Sequence, residues 1–117
     1  MNYRHAFHAG NFGDVLKHVV LLELLAALHR KPSPVHLIDS HAGIGVYDLT
    51  SSEAQRGGEY RLGVSAVLAD AATERILPAY FDALKNLNPD LAIGGGGLLR
   101  YPGSPWLCRH AMRADDR

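Results

Sequence analysis

Val35-His36-Leu37-Ile38-Asp39-Ser40-His41-Ala42-Gly43-Ile44-Gly45 reads as a buried strand running straight into a glycine loop. Val35, Leu37 and Ile38 are bulky apolar residues, bounded upstream by Pro32-Ser33-Pro34 and downstream by two glycines, the pattern of a central parallel strand. In open α/β sheets a ligand sits beyond the carboxyl ends of the strands, and Gly43 and Gly45 lack the Cβ that would hold a ligand off the backbone. Chemistry is therefore expected where this strand stops. A Gly-x-Gly also serves an ordinary tight turn, so the flanks decide between the two.

The 117 residues allow one domain at most, and a complete doubly wound sheet usually needs more. With 47% hydrophobic and 21% charged residues the chain is an ordinary folded one, neither disordered nor collagenous. Twelve Lys plus Arg balance twelve Asp plus Glu, so overall charge offers no electrostatic argument for nucleic acid. Local charge says more: residues 1–36 hold Arg4, Lys17, Arg30 and Lys31 against Asp14 and Glu23, and six of the seven histidines fall within the first 41 positions. The single cysteine, Cys108, excludes an intrachain disulfide and suits a reducing cytosol. The apolar run at 19–22 is broken by Glu23, far short of the roughly 20 apolar residues of a membrane span. Arg4, His5 and His8 have no apolar core behind them, so no signal peptide is expected.

Residues 1–13 have no period and pack together Tyr3, Arg4, His5, Phe7, His8 and Asn11, which reads as an ordered arm, although a first decade of residues is often a loose terminus. Asn11 can cap a helix whose first turn contains Asp14, favoured there by the helix dipole. That helix is expected over residues 13–29, and it has almost no polar face, which implies burial on most sides. Arg30-Lys31-Pro32 ends it. Asp14 and His18 lie one turn apart with Lys17 beside them; a histidine on a buried helix is more often satisfied by a neighbour than by a ligand.

Residues 47–58 are polar and turn-rich, and two helices follow over 61–72 and 73–88. Their apolar stripes, Tyr80 and Phe81 included, take a packing role only. The four glycines at 94–97 form a flexible loop, without the Lys-Ser/Thr of a phosphate cradle. In Tyr101-Pro102-Gly103-Ser104-Pro105, Ser104 is a good cap and Pro105 a good first helical residue, predicting a helix over 105–112; a plain turn and cap accounts for each residue there. Residues 114–117 come where an α/β protein would enter its second strand.

Tyr3-Arg4-His5-Ala6-Phe7-His8-Ala9-Gly10-Asn11 with Asp14-Val15-Leu16-Lys17-His18, then Asp39-Ser40-His41-Ala42-Gly43-Ile44-Gly45, then Tyr101-Pro102-Gly103-Ser104-Pro105, together resemble the RlmJ family of bacterial S-adenosylmethionine-dependent methyltransferases of large-subunit ribosomal RNA. The resemblance implies an α/β fold: an incomplete Rossmann-like methyltransferase core, formed by residues 1–47 and 101–117, with a helical insertion over 48–100. It implies methylation of the exocyclic N6 amine of an adenine in 23S ribosomal RNA, with S-adenosylmethionine as donor, no metal, no membrane contact, a cytoplasmic location and a monomeric family. By position, His18, His41 and Ser104 would line the donor cleft and Tyr3 would face the RNA.

One departure sets a limit on activity. Amino-methyltransferases of this kind carry an Asp/Asn-Pro-Pro-aromatic motif, yet the six prolines here, at 32, 34, 78, 89, 102 and 105, all stand singly. The acidic residue expected after a second strand to hold the ribose is missing too. The chain is therefore expected to be the amino-terminal portion of a longer enzyme, with no catalytic residue of its own and no transfer activity alone. Other readings stay open: a metal-binding or hydrolytic protein built on His5, His8, His18 and His41, a non-catalytic nucleic-acid-binding module using the basic, aromatic arm, and a role in the use of external DNA as a nutrient. A helix as apolar as 15–28 with one strand to cover it predicts an aggregating or oligomeric product.

Overall fold

Asn11 begins the first long element: its side chain accepts the Asp14 N–H at 2.8 Å and caps α1 (Phe12–Leu28), with Asp14 in the first turn. The computed structural model describes residues 3–117, so Met1 and Asn2 of the expected arm lie outside the described residues. The rest of the arm is packed. His5–Phe7 makes a 3-10 turn, Ala9 is buried, and Gly10 turns at φ +78°, where a Cβ would also crowd Val64 Cγ1 at 3.0 Å.

Burial on most sides of α1 is not what the structure shows. One face, Asp14, Val15, His18, Leu22 and Leu25, is buried against α5 (Pro78–Leu87) and α6 (Ser104–Ala111). The other carries Phe12, 78% exposed, and Leu16, Val20, Leu24 and Leu28 at four-residue steps, all open to solvent. A helix apolar all round buries only the faces that other elements reach, and here those elements lie on one side.

The expected central strand is likewise not formed as a strand. Residues 34–39 have no regular ladder, and Ile38 is 85% exposed. Among the described residues their one backbone partner is Arg117, which donates its N–H to Val35 O at 2.9 Å and receives the Leu37 N–H at 2.8 Å, the two-bond exchange of a parallel bridge around His36. Neighbours on both edges make a central strand; a single bridge leaves the segment open.

What holds the segment instead is a clasp from residues 113–116. The buried Asp116 carboxylate accepts N–H bonds from Val35 at 2.7 Å and Arg113 at 2.8 Å and lies 2.8 Å from His29 Nε2. These bonds hold its pKa well below the usual carboxylate range. The Arg113 guanidinium donates to the carbonyls of Lys31 at 2.9 Å and Ser33 at 2.8 Å, tying down the exit from α1.

β1 (Val46–Asp48) pairs antiparallel with β2 (Arg100–Pro102), setting Tyr47 opposite Tyr101. Between them the chain forms α2 (Ser52–Gly57), a 3-10 turn at Glu59–Arg61, α3 (Val64–Ala69), α4 (Thr73–Ile76) and α5. The expected helices over 61–72 and 73–88 are thus three shorter ones. Pro78 accounts for the second break: it opens α5, and Leu77 before it is pushed to φ −122°, ψ 61°, out of the helical region. The core lies where α1, α3, α5 and α6 meet the strand pair, around Val64, Leu68, Tyr80, Leu84, Tyr101 and Leu107. The whole is a mixed helix and sheet domain.

Ser104 does not cap α6. Gly103 occupies the N-cap without a side-chain bond, and the Ser104 hydroxyl, one residue inside, donates to the Asp39 carboxylate instead. Gly103 holds the extended N-cap backbone at φ −82°, ψ 170°, which leaves Ser104 already helical and its hydroxyl out of the capping position.

Candidate functional site

Four parts of the chain converge on one cleft of about 270 Å³, lined by Tyr3 from the arm, His18 from α1, His41 and Gly43 from the glycine loop, and Ser104 from α6. All four expected site residues, Tyr3, His18, His41 and Ser104, are therefore brought together. A second cavity of about 290 Å³ shares His41 and Ser104 with it and adds Leu21, Leu37, Ile38 and Cys108. Burial pushes the Cys108 thiol up, away from thiolate reactivity.

His18 is satisfied by a neighbour and faces the cleft as well. Its Nδ1 lies 2.8 Å from Tyr101 Oη, and Tyr101 Oη lies 3.0 Å from Tyr80 Oη. Burial is the largest influence on His18 and pulls its pKa down to about 4; Asp14 opposes that shift, while Lys17 and His5 add to it. Burial likewise pushes the phenols of Tyr80 and Tyr101 well above their ordinary range, so both keep their protons.

Asp14, one turn before His18, works toward the arm rather than toward that histidine. Its Oδ2 accepts the Gly10 N–H at 2.9 Å and lies 2.6 Å from His5 Nε2, and His5 Nδ1 in turn lies 2.5 Å from Tyr3 Oη. The exposed Tyr3 ring stacks on His8 with centroids 5.2 Å apart. The arm's aromatic end is thus tied to the first turn of α1.

On the opposite side, the glycine loop is laid against the start of α6. Gly103 donates its N–H to Gly45 O at 2.8 Å, and a Cβ on Gly103 would overlap the Ile44 carbonyl oxygen. His41 is exposed, with Nδ1 2.8 Å from Ser40 Oγ and its backbone N–H donating to Asp39 Oδ1 at 3.2 Å. Asp39 therefore joins loop and helix, accepting from His41 and from Ser104.

Sequence reasoning passed over Asp39, Tyr47, Tyr80 and Tyr101. Asp39 stands directly after the apolar run, where a strand-end carboxylate invites attention. The tyrosines gave a weaker signal: a tyrosine inside an apolar stripe needs somewhere to place its hydroxyl.

The larger cavity, about 540 Å³ between α1 and residues 62–77, is lined by apolar side chains with only Asp70 and Thr73 among them, and offers no reacting groups. The metal-binding reading finds no support in side-chain placement. His5 pairs with Asp14, His8 with Glu59, His18 with Tyr101 and His41 with Ser40, and among the described residues no group of three or more His, Cys, Asp or Glu side chains is placed to hold an ion. Among the described residues no helix is long and apolar enough to cross a membrane.

The family model described as ribosomal RNA large subunit methyltransferase D, RlmJ, matches residues 32–117. A ribosomal RNA large subunit methyltransferase J of Escherichia coli is 40% identical over 116 residues, 99% of this chain and 40% of the relative. Its namesake in Haemophilus influenzae is 37% identical over 117 residues, 100% of this chain and again 40% of the relative. The crystal structure of a Legionella pneumophila protein assigned to the DUF519 family matches with a TM-score of 0.79 at 34% identity, covering 94% of this chain and 38% of that one. The chain spans about two-fifths of the length of these relatives.

Proposed function

Because this chain belongs to the RlmJ family of ribosomal RNA large subunit methyltransferases, we propose that it carries the donor-binding part of an enzyme that moves a methyl group from S-adenosylmethionine to the N6 amine of an adenine in 23S ribosomal RNA. The carrying observation is the convergence of Tyr3, His18, His41 and Ser104, far apart in sequence, on one cleft. In this reading the core is Rossmann-like and residues 48–100 are a helical insertion. The parallel bridge between residues 35–37 and Arg117 supports it as the first rung of the ladder such a core extends. In the same reading the reaction takes place in the cytoplasm.

The cleft fits such a donor. The 270 Å³ and 290 Å³ cavities adjoin at His41 and Ser104, and jointly fall within the range of about 300–1,000 Å³ that small-molecule sites occupy. The donor supplies an electrophilic methyl group on a positively charged sulfur. A neutral His18 adds no cation against that charge. The exposed loop backbone around Gly43 and Gly45 permits close approach, and Ser104, His41 and Asp39 offer polar atoms to orient a ligand. Leu21, Leu37 and Ile38 supply the apolar wall for a flat base. Tyr3, exposed at the mouth, offers a ring to an unpaired adenine.

No Asp-Pro-Pro-aromatic motif stands among the 117 residues, so they bind donor and do not transfer its methyl group alone. Calorimetry with S-adenosylmethionine tests the first part: the chain binds it, and H41A and S104A each weaken binding. Equal affinity in all three chains, or none in any, removes the donor cleft. Labelled methyl appearing on unmodified 23S ribosomal RNA with the chain alone would move the chemistry into these residues.

A further inference from the structure

Three side chains from three elements form one hydrogen-bonded row: Tyr80 on α5, Tyr101 on β2 and His18 on α1. They are 1%, 0% and 7% exposed. Each hydroxyl has one proton to give, and the position of the imidazole proton decides whether both find an acceptor. With the proton on His18 Nδ1, Tyr101 accepts it, and one of the two hydroxyl protons then has no acceptor among the described residues. Buried donors left unmade are the costly case. In the opposite direction both hydroxyl protons are used: Tyr80 donates to Tyr101, Tyr101 donates to His18 Nδ1, and the imidazole keeps its own proton on Nε2.

The surroundings agree with that direction. Burial keeps the His18 ring neutral near pH 7 and both phenols protonated, so each group has the proton count the row requires. His18 Nε2 makes no hydrogen bond among the described residues, and His18 lines the 270 Å³ cleft. The one unsatisfied donor of the row is thus left at the candidate site.

We propose that Tyr101, oriented by Tyr80, is a positioning residue that locks His18 in the Nε2–H form, so that His18 offers a ligand in the cleft a hydrogen-bond donor and no acceptor. Such a site selects an acceptor oxygen at that point. In the reading above it is an oxygen of the methyl donor, and that identification rests on that reading. Tyr80, on α5 and away from the cleft, meets only the Tyr101 hydroxyl of this row, and Tyr101 alone bonds the imidazole.

Long-range proton–nitrogen spectra of the nitrogen-labelled full chain read the tautomer directly, with His18 identified by its loss in H18N. The unsubstituted chain is expected to show the Nε2–H form. In Y101F the signals are expected to move to a mixture of tautomers, with S-adenosylmethionine binding about 3- to 10-fold weaker. Y80F removes a buried hydroxyl from the same row but leaves the bond to His18, and is expected to keep the Nε2–H form. An Nδ1–H form in the unsubstituted chain overturns the proposal, whether or not Y101F folds. So does a Y101F chain that folds and keeps the Nε2–H form unchanged. If the tautomer and its dependence on Tyr101 are as stated while S-adenosylmethionine leaves the His18 signals unmoved, the positioning role stands and the donor cleft falls.

Discussion

The two sides of the cleft are built to opposite specifications. On one side His18 stands on Tyr101 and Tyr80, inside the core, with each hydrogen bond sheltered from water. On the other, His41 and Ser104 lie on a largely exposed loop and helix start, joined through Asp39 by bonds open to solvent. Local stability tracks buried contacts, so the first side resists opening with the whole domain and the second can open alone. A ligand site profits from this division, because one side sets the geometry while the other admits the ligand.

If that division is real, substitutions on the two sides separate stability from binding. The largest effect is expected for Y101A, which empties a fully buried aromatic site and breaks two hydrogen bonds: about 3–5 kcal/mol, read as a fall in the urea midpoint. A loss below about 1 kcal/mol would place Tyr101 outside the stable side.

Acid should act on the same side. His18 titrates near its ordinary value of 6.5 when unfolded and at about 4 when folded, so between those values the unfolded chain binds the extra proton. Its contribution is fully present above pH 6.5 and is lost as pH falls to about 4, an effect on the order of 3 kcal/mol. Asp116, held below the carboxylate range, adds a further loss in more acidic solution. H18Q should flatten the stability profile between pH 4 and 6.5; an unchanged slope would mean that other groups carry it.

Across the cleft the expected change in stability is smaller. S104A removes an exposed hydrogen bond and should cost under about 1 kcal/mol in the same urea experiment, while donor binding is expected to weaken. A cost near that of Y101A would erase the distinction between the sides. Smallest of all is L16K on the open ridge of α1, within about 0.5 kcal/mol of the unsubstituted chain, with reduced self-association in light scattering. A strong loss of stability there would show that the ridge is covered in solution.

How far sequence reasoning reached depends on how local each feature is. The start of α1 was legible because Asn11 and Asp14 meet within one turn. The 78–87 helix was legible as an apolar stripe, but periodicity is blind to a hydroxyl and made Tyr80 mere packing. Residues 35–38 have the composition of a central strand, but composition cannot supply neighbours, and among the described residues only Arg117 pairs with them through the backbone. Ser104 looks like a cap by type and position, but the N-cap falls one residue earlier, at Gly103, and the partner of its hydroxyl, Asp39, is 65 positions away. The Asp116 clasp had no signal, since one acidic residue in a polar stretch has no period. The meeting of His18, His41 and Ser104 came from the resemblance to a family and from no pattern within the chain.

Hydrogen–deuterium exchange of the full chain with and without S-adenosylmethionine tests the donor cleft most directly. Protection is expected at residues 39–45 and 103–104, the side that opens, with little change in α5, which is already protected. Protection confined to residues 62–77 beside the apolar cavity, or none anywhere, would contradict the assignment of this cleft to the methyl donor.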